Sequence, residues 1–178
     1  MFRPAARAAA CAAALFTLAM PALAGPEAFQ PGMVVPDFGK FAPVEGMTLP
    51  ADTEFKVAFD VNEAGPEDAV SRGLESPARF INMNAAAGVD PANIHVAIVV
   101  HGGAWKDLLT DEARGSANPN AGLIAELQRA GATIQICGQT AAGHDISQDD
   151  LLPGVTIVLS AMTAHALLQQ EGYTLNPF

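Results

Sequence analysis

The sequence predicts an α/β fold in which a mainly parallel, open sheet carries helices on both faces. Predicted strands and predicted helices alternate along the chain, which is typical of βαβ units. The strands are indicated by alternating apolar and polar residues or by β-branched residues, and the helices by apolar residues at helical spacing. Residues 94–100 form a nearly continuous apolar run, as expected for a parallel strand covered on both sides. The chain shows no internal repeat at solenoid spacing.

The first strand is predicted at residues 55–61, where apolar and polar side chains alternate. Ser76 and Pro77 look like an N-cap followed by proline at the first helical position. A helix is therefore predicted to open there and to continue to about Ala87, with Gly88 closing it. Residues 94–100 form the second predicted strand.

A second helix is predicted to begin at Asn118 and Pro119, which repeat the cap-plus-proline signal, and to stop at Gly131. Apolar residues recur at helical spacing between these points. The remaining predicted elements are a strand at residues 133–137, a strand at 155–159 and a helix at 161–171.

Residues 1–24 have the pattern of a secretory signal peptide. Arg3 and Arg7 supply a basic start, an uncharged run rich in alanine follows, and Ala22-Leu23-Ala24 matches a cleavage site. The apolar run is shorter than the roughly 20 residues that a spanning helix needs. We therefore expect cleavage after Ala24, a periplasmic product and no membrane contact of the mature chain.

Cleavage after Ala24 removes two of the nine basic residues and none of the 19 acidic ones, so the mature chain has a net charge of −12. An acidic surface repels phosphate backbones and anionic lipids, so we expect no nucleic-acid or membrane partner. Cleavage also removes Cys11 and leaves Cys137 as the single thiol. An unpaired cysteine in an oxidising compartment is buried and inert, bridged to another chain, or reactive.

Residues 25–53 hold five prolines and several glycines without sustained periodicity. This composition predicts an extended, loosely structured arm that packs either on the domain or on a neighbouring subunit. The α/β domain is predicted to occupy residues 54–178.

Three polar residues mark the edge of the predicted sheet where ligands bind. In an open parallel sheet, ligands lie outside the carboxyl ends of the strands. His101 follows the second strand, Cys137 ends the third and Ser160 follows the fourth. His95, within a strand, and His165, within a helix, are expected to be structural.

Cys137 is the candidate nucleophile. Gly138, Gln139 and the residues after them are predicted to turn into a short helix, and N–H groups at a helix start lower a thiol pKa and favour the thiolate. Such a thiol could accept or pass on a sulfur atom. The alternative is a small buried core residue, since free cysteine is among the most buried residue types.

His101 opens a loop that continues through Gly102 and Gly103 to Trp105. A His-Gly-Gly loop supplies oxyanion-hole N–H groups in some esterases, but this chain has no G-x-S-x-G elbow and is short for that fold. His101 is interpreted either as a base or hydrogen-bond donor for Cys137 or as a residue that only caps its loop.

No pattern in the sequence points to a metal or another cofactor. The four histidines and the cysteine show no paired-ligand spacing, and no glycine loop matches a P-loop or a dinucleotide fingerprint. We therefore expect no metal and no cofactor, and we expect Asp149 and Asp150 to occupy a solvated turn.

Several segments together resemble the DsrE/DsrF-like family over about residues 55–178. The segments that carry the resemblance are residues 99–102, 118–120, 136–139, 150–155, 159–163 and 169–173. The resemblance implies a three-layer α/β sandwich that assembles into homo-oligomers, commonly trimers or hexamers. It also implies that Cys137 matches the position at which sulfur-relay members carry a persulfide.

The chain departs from the family pattern after Cys137. Many relatives have an Arg-Gly pair where this chain has His144 and Asp145, so an arginine-assisted anion site is not expected. His144 is retained as a candidate binding residue.

Two hypotheses follow for the function. The first is a periplasmic sulfur-handling protein in which Cys137 carries a persulfide or relays sulfur between small sulfur species and a thiol-bearing partner, with His101 nearby. The second is a non-catalytic oligomeric module whose sheet-edge pocket, including His101 and Trp105, holds a small ligand. Whether the chain is an enzyme stays open at this point.

Overall fold

The computed structural model describes residues 25–176. The predicted signal peptide, residues 1–24, lies outside the described residues, and so does Cys11. Within the described residues, no helix is long and apolar enough to cross a membrane.

Five strands form a single sheet. In chain order they are β1 (Phe55–Val61), β2 (Ile94–Val100), β3 (Thr133–Cys137), β4 (Val155–Val158) and β5 (Thr174–Asn176). The order across the sheet is β4-β3-β2-β1-β5, and every neighbouring pair is parallel. The sheet is therefore wholly parallel, and its carboxyl ends share one edge. The short strand β5 was not predicted, because three residues are too few to show a period.

Helices cover both faces of the sheet, which confirms the predicted layers. The helices are α1 (Arg72–Ala86), α2 (Asp111–Arg114), α3 (Ala121–Arg129), α4 (Gly138–Gly143) and α5 (Ala161–Gln170). Helices α1 and α3 pack on one face and α5 packs on the other.

The two cores differ in size. The core under α1 and α3 contains large side chains such as Phe59, Leu74 and Ile98. The core under α5 is small and rich in alanine; it consists of Ala58, Ala97, Val99, Cys137, Ala161, Ala164 and Leu168. Strand β2 contributes to both cores, as predicted from its continuous apolar run. Because few large side chains separate α5 from the sheet, this helix lies on a thin layer of small residues.

Helix α1 begins earlier than predicted. It starts at Arg72, and Pro77 lies inside it rather than at its first position. Leu74, Ala78 and Ile81 follow helical spacing and are all buried, so burial of this apolar face outweighs the hydrogen bond that Pro77 cannot make. The predicted stop is confirmed, since Gly88 takes the left-handed conformation just after the helix end.

Helix α3, by contrast, begins later than predicted. It was predicted to start at Asn118 and starts at Ala121, with Asn120 as its N-cap. Asn118 instead donates through Nδ2 to the carbonyl oxygens of Asp107 and Leu109, at 3.0 and 2.7 Å. Its Nδ2 therefore holds the loop after β2, while its Oδ1 accepts from the N–H of Asn120 at 2.9 Å, just before the helix begins.

The arm at residues 25–53 packs on its own domain, along α1. Asn82, which is 1 % exposed, makes the contact. Its Oδ1 accepts from the N–H of Val35 at 2.9 Å, and its Nδ2 donates to the carbonyl oxygens of Val35, Phe38 and Gly39 at 2.9 to 3.2 Å. Asn82 thus supplies hydrogen-bond partners to an arm segment that lacks regular secondary structure.

Asn82→Ala is expected to lower the free energy of unfolding by about 2–4 kcal/mol, because it leaves several buried backbone groups of the arm without partners. Urea denaturation of the mature chain measures this loss. Asn62→Ala removes an exposed side chain of the same type and is the matched control, with an expected change below about 0.5 kcal/mol. Equal, small losses in the two variants would contradict the role given to Asn82.

Candidate functional site

The carboxyl edge of the sheet brings Cys137 and His101 side by side. The parallel register of β2 and β3 pairs Val100 with Ile136, so the next residues on the two strands, His101 and Cys137, are neighbours. Side chains alternate along a strand, and Cys137 packs with Val99 in the core under α5. His101 follows Val99 by two residues and so leaves β2 toward the same face.

Cys137 is 6 % exposed, so its thiol lies at the buried edge of the small core. Burial alone would raise the pKa of the thiol. The N–H groups of Ala161, Thr140 and Gln139 and the hydroxyl of Thr140 outweigh burial and hold the pKa of Cys137 below its ordinary value. Gln139 and Thr140 belong to the helix that follows Cys137, and the N–H of Ala161, at the start of α5, is an additional contribution that the sequence did not show.

Gly138 is required by the close approach of β4. A Cβ at this position would lie 2.4 Å from the carbonyl oxygen of Val158 and 3.1 Å from that of Leu159. Gln139, which follows, donates through Nε2 to the carbonyl oxygen of Leu159 at 3.1 Å. Gly138 and Gln139 therefore attach the start of α4 to the end of β4 beside the thiol.

Ser160 lies next to this contact but acts as a helix cap. Its Oγ accepts from the N–H of Thr163 at 3.0 Å and shares a second hydrogen bond with Oγ1 of Thr163. The side chain is buried and its lone pairs serve α5, so Ser160 positions that helix.

His101 is one of two histidines that bind the carboxylate of Asp60. Its Nε2 lies 3.1 Å from both oxygens of Asp60, and Nε2 of His165 lies 2.7 Å from Oδ1. Burial would raise the pKa of Asp60, but the hydrogen bonds from His101 and His165 outweigh it and hold this pKa below its usual value. The ring nitrogen that His101 presents here is therefore directed at Asp60 and not at Cys137.

Sequence reasoning did not find Asp60 as part of this cluster, and it treated His165 only as a structural residue. Asp60 and His165 are 105 residues apart, so their contact cannot be seen as a spacing. One signal was present, because Asp60 is the polar residue of β1 nearest to its carboxyl end.

The two glycines after His101 serve the loop. The N–H of Gly103 donates to the carbonyl oxygen of Asn62 at 2.9 Å, and Gly102 takes a positive φ of 55° with the same carbonyl 2.8 Å from where its Cβ would be. The N–H of Gly103 is therefore already used within the fold, which disfavours an oxyanion hole at this loop.

Trp105 and His144 lie apart from the thiol, on the side of the sheet that α1 and α3 cover. Trp105 packs against the larger core, and its ring stacks on that of His144 with centroids 4.7 Å apart. The pair forms one wall of a cavity of about 580 Å³. Lys106 and Arg114 line the cavity too, but so do four acidic side chains, which leave its charge mixed; these are Glu67, Asp107, Asp145 and Asp150. The structure thus divides the predicted site residues between two regions.

No group of three or more histidine, cysteine or acidic side chains suited to a metal ion occurs within residues 25–176. Nε2 of His101 and Nε2 of His165 are directed at Asp60, whereas Nδ1 of His165 is buried and has no hydrogen-bond partner among the described residues. Asp149 and Asp150 lie in a short 3-10 turn, where Asp150 accepts hydrogen bonds from Ser147.

Gly138→Ala is expected to lower the free energy of unfolding by more than about 2 kcal/mol, because the backbone of α4 or β4 must move to admit the methyl group. The shift displaces N–H groups from the sulfur, so alkylation of Cys137 at neutral pH is also expected to slow. Gly143→Ala, at the other end of α4, meets no atom within 4 Å and is the control, with an expected change within about 1 kcal/mol. Urea denaturation and the rate of alkylation measure the two effects. If Gly138→Ala and Gly143→Ala had equal stability and equal rates of alkylation, the close approach of β4 to Gly138 would be contradicted.

Two solved structures share this fold. A protein of unknown function from Methanobacterium thermoautotrophicum, MTH1491, is 23 % identical over 70 % of this chain and 100 % of its own, with a TM-score of 0.56. The ychN protein from E. coli is 18 % identical over 70 % of this chain and 99 % of its own, with a TM-score of 0.53. No curated protein matches the chain in sequence.

The DsrE/DsrF-like family model matches residues 56–177, which is more than half of the chain and contains the whole sheet edge described above. The matched residues also agree with the segments that suggested this resemblance in the sequence. The chain therefore belongs to the DsrE/DsrF-like family.

Proposed function

We propose that this protein is an exported sulfur carrier in which Cys137 holds the transferred sulfur as a persulfide. Membership of a family that is generally related to sulfur relay supports the proposal. The observation that carries it is the position of Cys137 at the start of α4 and in one small core with Ala161, where nearby N–H groups and the hydroxyl of Thr140 lower the pKa of the thiol. Such donors stabilise a negative sulfur, and the thiolate is the nucleophilic form of cysteine.

The proposed step is an attack of the Cys137 thiolate on the terminal sulfur of a donor persulfide. A new S–S bond forms at Cys137 while the S–S bond of the donor breaks, and the electron pair leaves with the donor as its thiolate. The proton stays on the transferred sulfur, so charge and atoms balance. A thiol-bearing acceptor then takes the terminal sulfur by the same exchange and regenerates the Cys137 thiolate.

The hydrogen-bond donors serve both ends of this exchange. A lowered thiol pKa gives a larger thiolate fraction for attack, and it makes Cys137 a better leaving group when the sulfur moves on. The low exposure of Cys137 favours small sulfur species or a partner whose thiol reaches into the site. We place the exchange in the periplasm, in line with the signal pattern of residues 1–24.

Cys137 of the mature protein is expected to react with iodoacetamide at pH values below about 8.5, where an ordinary free thiol ionises. The pH dependence of alkylation, read by intact mass, measures this. Incubation with a polysulfide should add about 32 Da, one sulfur atom, in a form that cyanide removes. Cys137→Ser is the control and should gain no such adduct.

An unreactive thiol that gains no cyanide-removable sulfur would overturn the proposed carrier function. The cavity walled by Trp105 and His144 would then be the better candidate, as a site for a small ligand. Thermal stabilisation by a ligand that persists in Cys137→Ala would support that second function.

We also propose that the protein works as a homo-oligomer, a trimer or a hexamer, through the surface formed by β4 and α5. This surface exposes apolar side chains that a solvated face seldom collects together; Leu159 and Met162 are 71 % and 81 % exposed, and Ile157 and Leu167 lie beside them. Burying these side chains against a second copy removes them from water.

A buried polar atom on the same surface supports the interface. Gln135 lies on the floor of a groove of about 310 Å³ between β4 and α5, together with Leu167 and Leu168. Its side-chain oxygen is buried and has no hydrogen-bond partner among the described residues. Buried acceptors are normally satisfied, and a donor from a second copy would supply the missing partner.

Met162→Glu is expected to shift the protein to monomers, because a charge in an apolar interface loses its hydration. Sedimentation velocity of the mature protein at micromolar concentration measures the state, with the wild type expected as a trimer or a hexamer. Met33→Glu changes a residue of the arm that is 93 % exposed and should leave assembly unchanged. A monomeric wild type would overturn the proposed oligomer.

A further inference from the structure

Helix α5 is attached to the sheet by few apolar contacts. Its buried residues are Ala161, Ala164 and Leu168, and they rest on small residues of β1 and β2. Small side chains let the helix approach the sheet closely, but they contribute little buried apolar area. They also provide no large side chain that, by packing between sheet residues, would fix the rotation of α5 about its axis. The setting of α5 on the sheet therefore depends strongly on directional contacts.

The directional contact beneath α5 is the hydrogen bond between His165 and Asp60. Nε2 of His165 lies 2.7 Å from Oδ1 of Asp60, which belongs to β1. Asp60 is itself held by Nε2 of His101, 3.1 Å from each oxygen. A carboxylate bound from two sides has little freedom to rotate, so it is a rigid anchor for the helix.

Ala161, the first residue of α5, reaches the thiol. Both residues pack in the same small core, and the N–H of Ala161 is one of the groups that lower the pKa of Cys137. His165 follows Ala161 by four residues, which is about one helical turn, so the two residues project from the same side of α5. A rotation or slide of α5 that breaks the contact of His165 with Asp60 also moves the N–H of Ala161 relative to the sulfur.

We propose that Asp60 and His165 are positioning residues for Cys137: their hydrogen bond fixes α5 so that the N–H of Ala161 stays directed at the sulfur. This inference rests on the proposed function of Cys137 as a reactive thiol. Neither residue donates to the sulfur, and both act through the helix. His101 supports them by holding the carboxylate of Asp60 in place.

The sign of the effect separates positioning from direct electrostatics. Asp60 is an acid, so removal of its negative charge favours a nearby thiolate by Coulomb's law and lowers the thiol pKa. Loss of the helix anchor has the opposite effect, because the sulfur loses an N–H donor. A rise in the thiol pKa of Asp60→Ala is therefore opposite to the direct effect of its charge, and the comparison of His165→Leu with His165→Gln separates displacement of donors from the charge of the His165 ring.

The experiment measures the pH midpoint of iodoacetamide alkylation of Cys137 in the mature protein and three variants. Asp60→Ala and His165→Leu, which break the anchor, are expected to raise the midpoint by about one pH unit, the effect of losing one hydrogen bond to a charged group. His165→Gln keeps an N–H that can reach Asp60 and should restore the wild-type midpoint to within about 0.3 units. His95→Leu removes a half-buried histidine near Glu54 and is the control, with no expected shift.

Circular dichroism and the thermal midpoint of each variant show whether it is folded, and His165→Gln keeps the test informative if Asp60→Ala does not fold. A lower or unchanged midpoint in Asp60→Ala and His165→Leu would overturn the positioning role. Equal shifts in His165→Leu and His165→Gln would also overturn it, because they would assign the effect to the charge of the ring. If the wild-type thiol is itself unreactive, the proposed function fails first, and this outcome is distinct from either of the others.

Discussion

All five strands run parallel, and the chemistry of the protein depends on this constraint. In a parallel sheet every strand ends at the same edge, so residues that follow or end separate strands meet there. Cys137 ends β3 and His101 follows β2 in the adjacent position, while Asp60 lies near the end of β1. The helices that follow β3 and β4 begin at this edge, so their first N–H groups lie near Cys137.

The two faces of the sheet have separate tasks. The large core under α1 and α3 supplies most of the buried apolar area, and the arm extends it through Val35, which is fully buried. The core under α5 is smaller and contains Cys137, and His101 and His165 bind Asp60 on the same side of the sheet. Most of the buried apolar area and the candidate thiol therefore lie on opposite sides of one sheet.

Much of the fold was predictable because the strands have strong local signals. The bounds of β1, β2 and β3 agree with prediction, since β-branched runs and alternation define a strand locally. The start of α1 was missed because the proline rule at Pro77 competed with the apolar spacing from Leu74, and burial of that spacing prevailed. The link between Asp60 and His165 joins β1 to α5 and depends on the complete topology. No local pattern contains it.

The stack of Trp105 on His144 has an optical consequence. Trp105 is the only tryptophan in the sequence, so the ultraviolet emission of the protein comes mainly from one ring. The imidazole of His144 is stacked on this ring, so a change in that contact changes the surroundings of the indole. His144 directly follows α4, the short helix that has Cys137 as its N-cap at the other end. The emission of Trp105 is therefore sensitive to movement of α4, the segment between Cys137 and the cavity that Trp105 and His144 line.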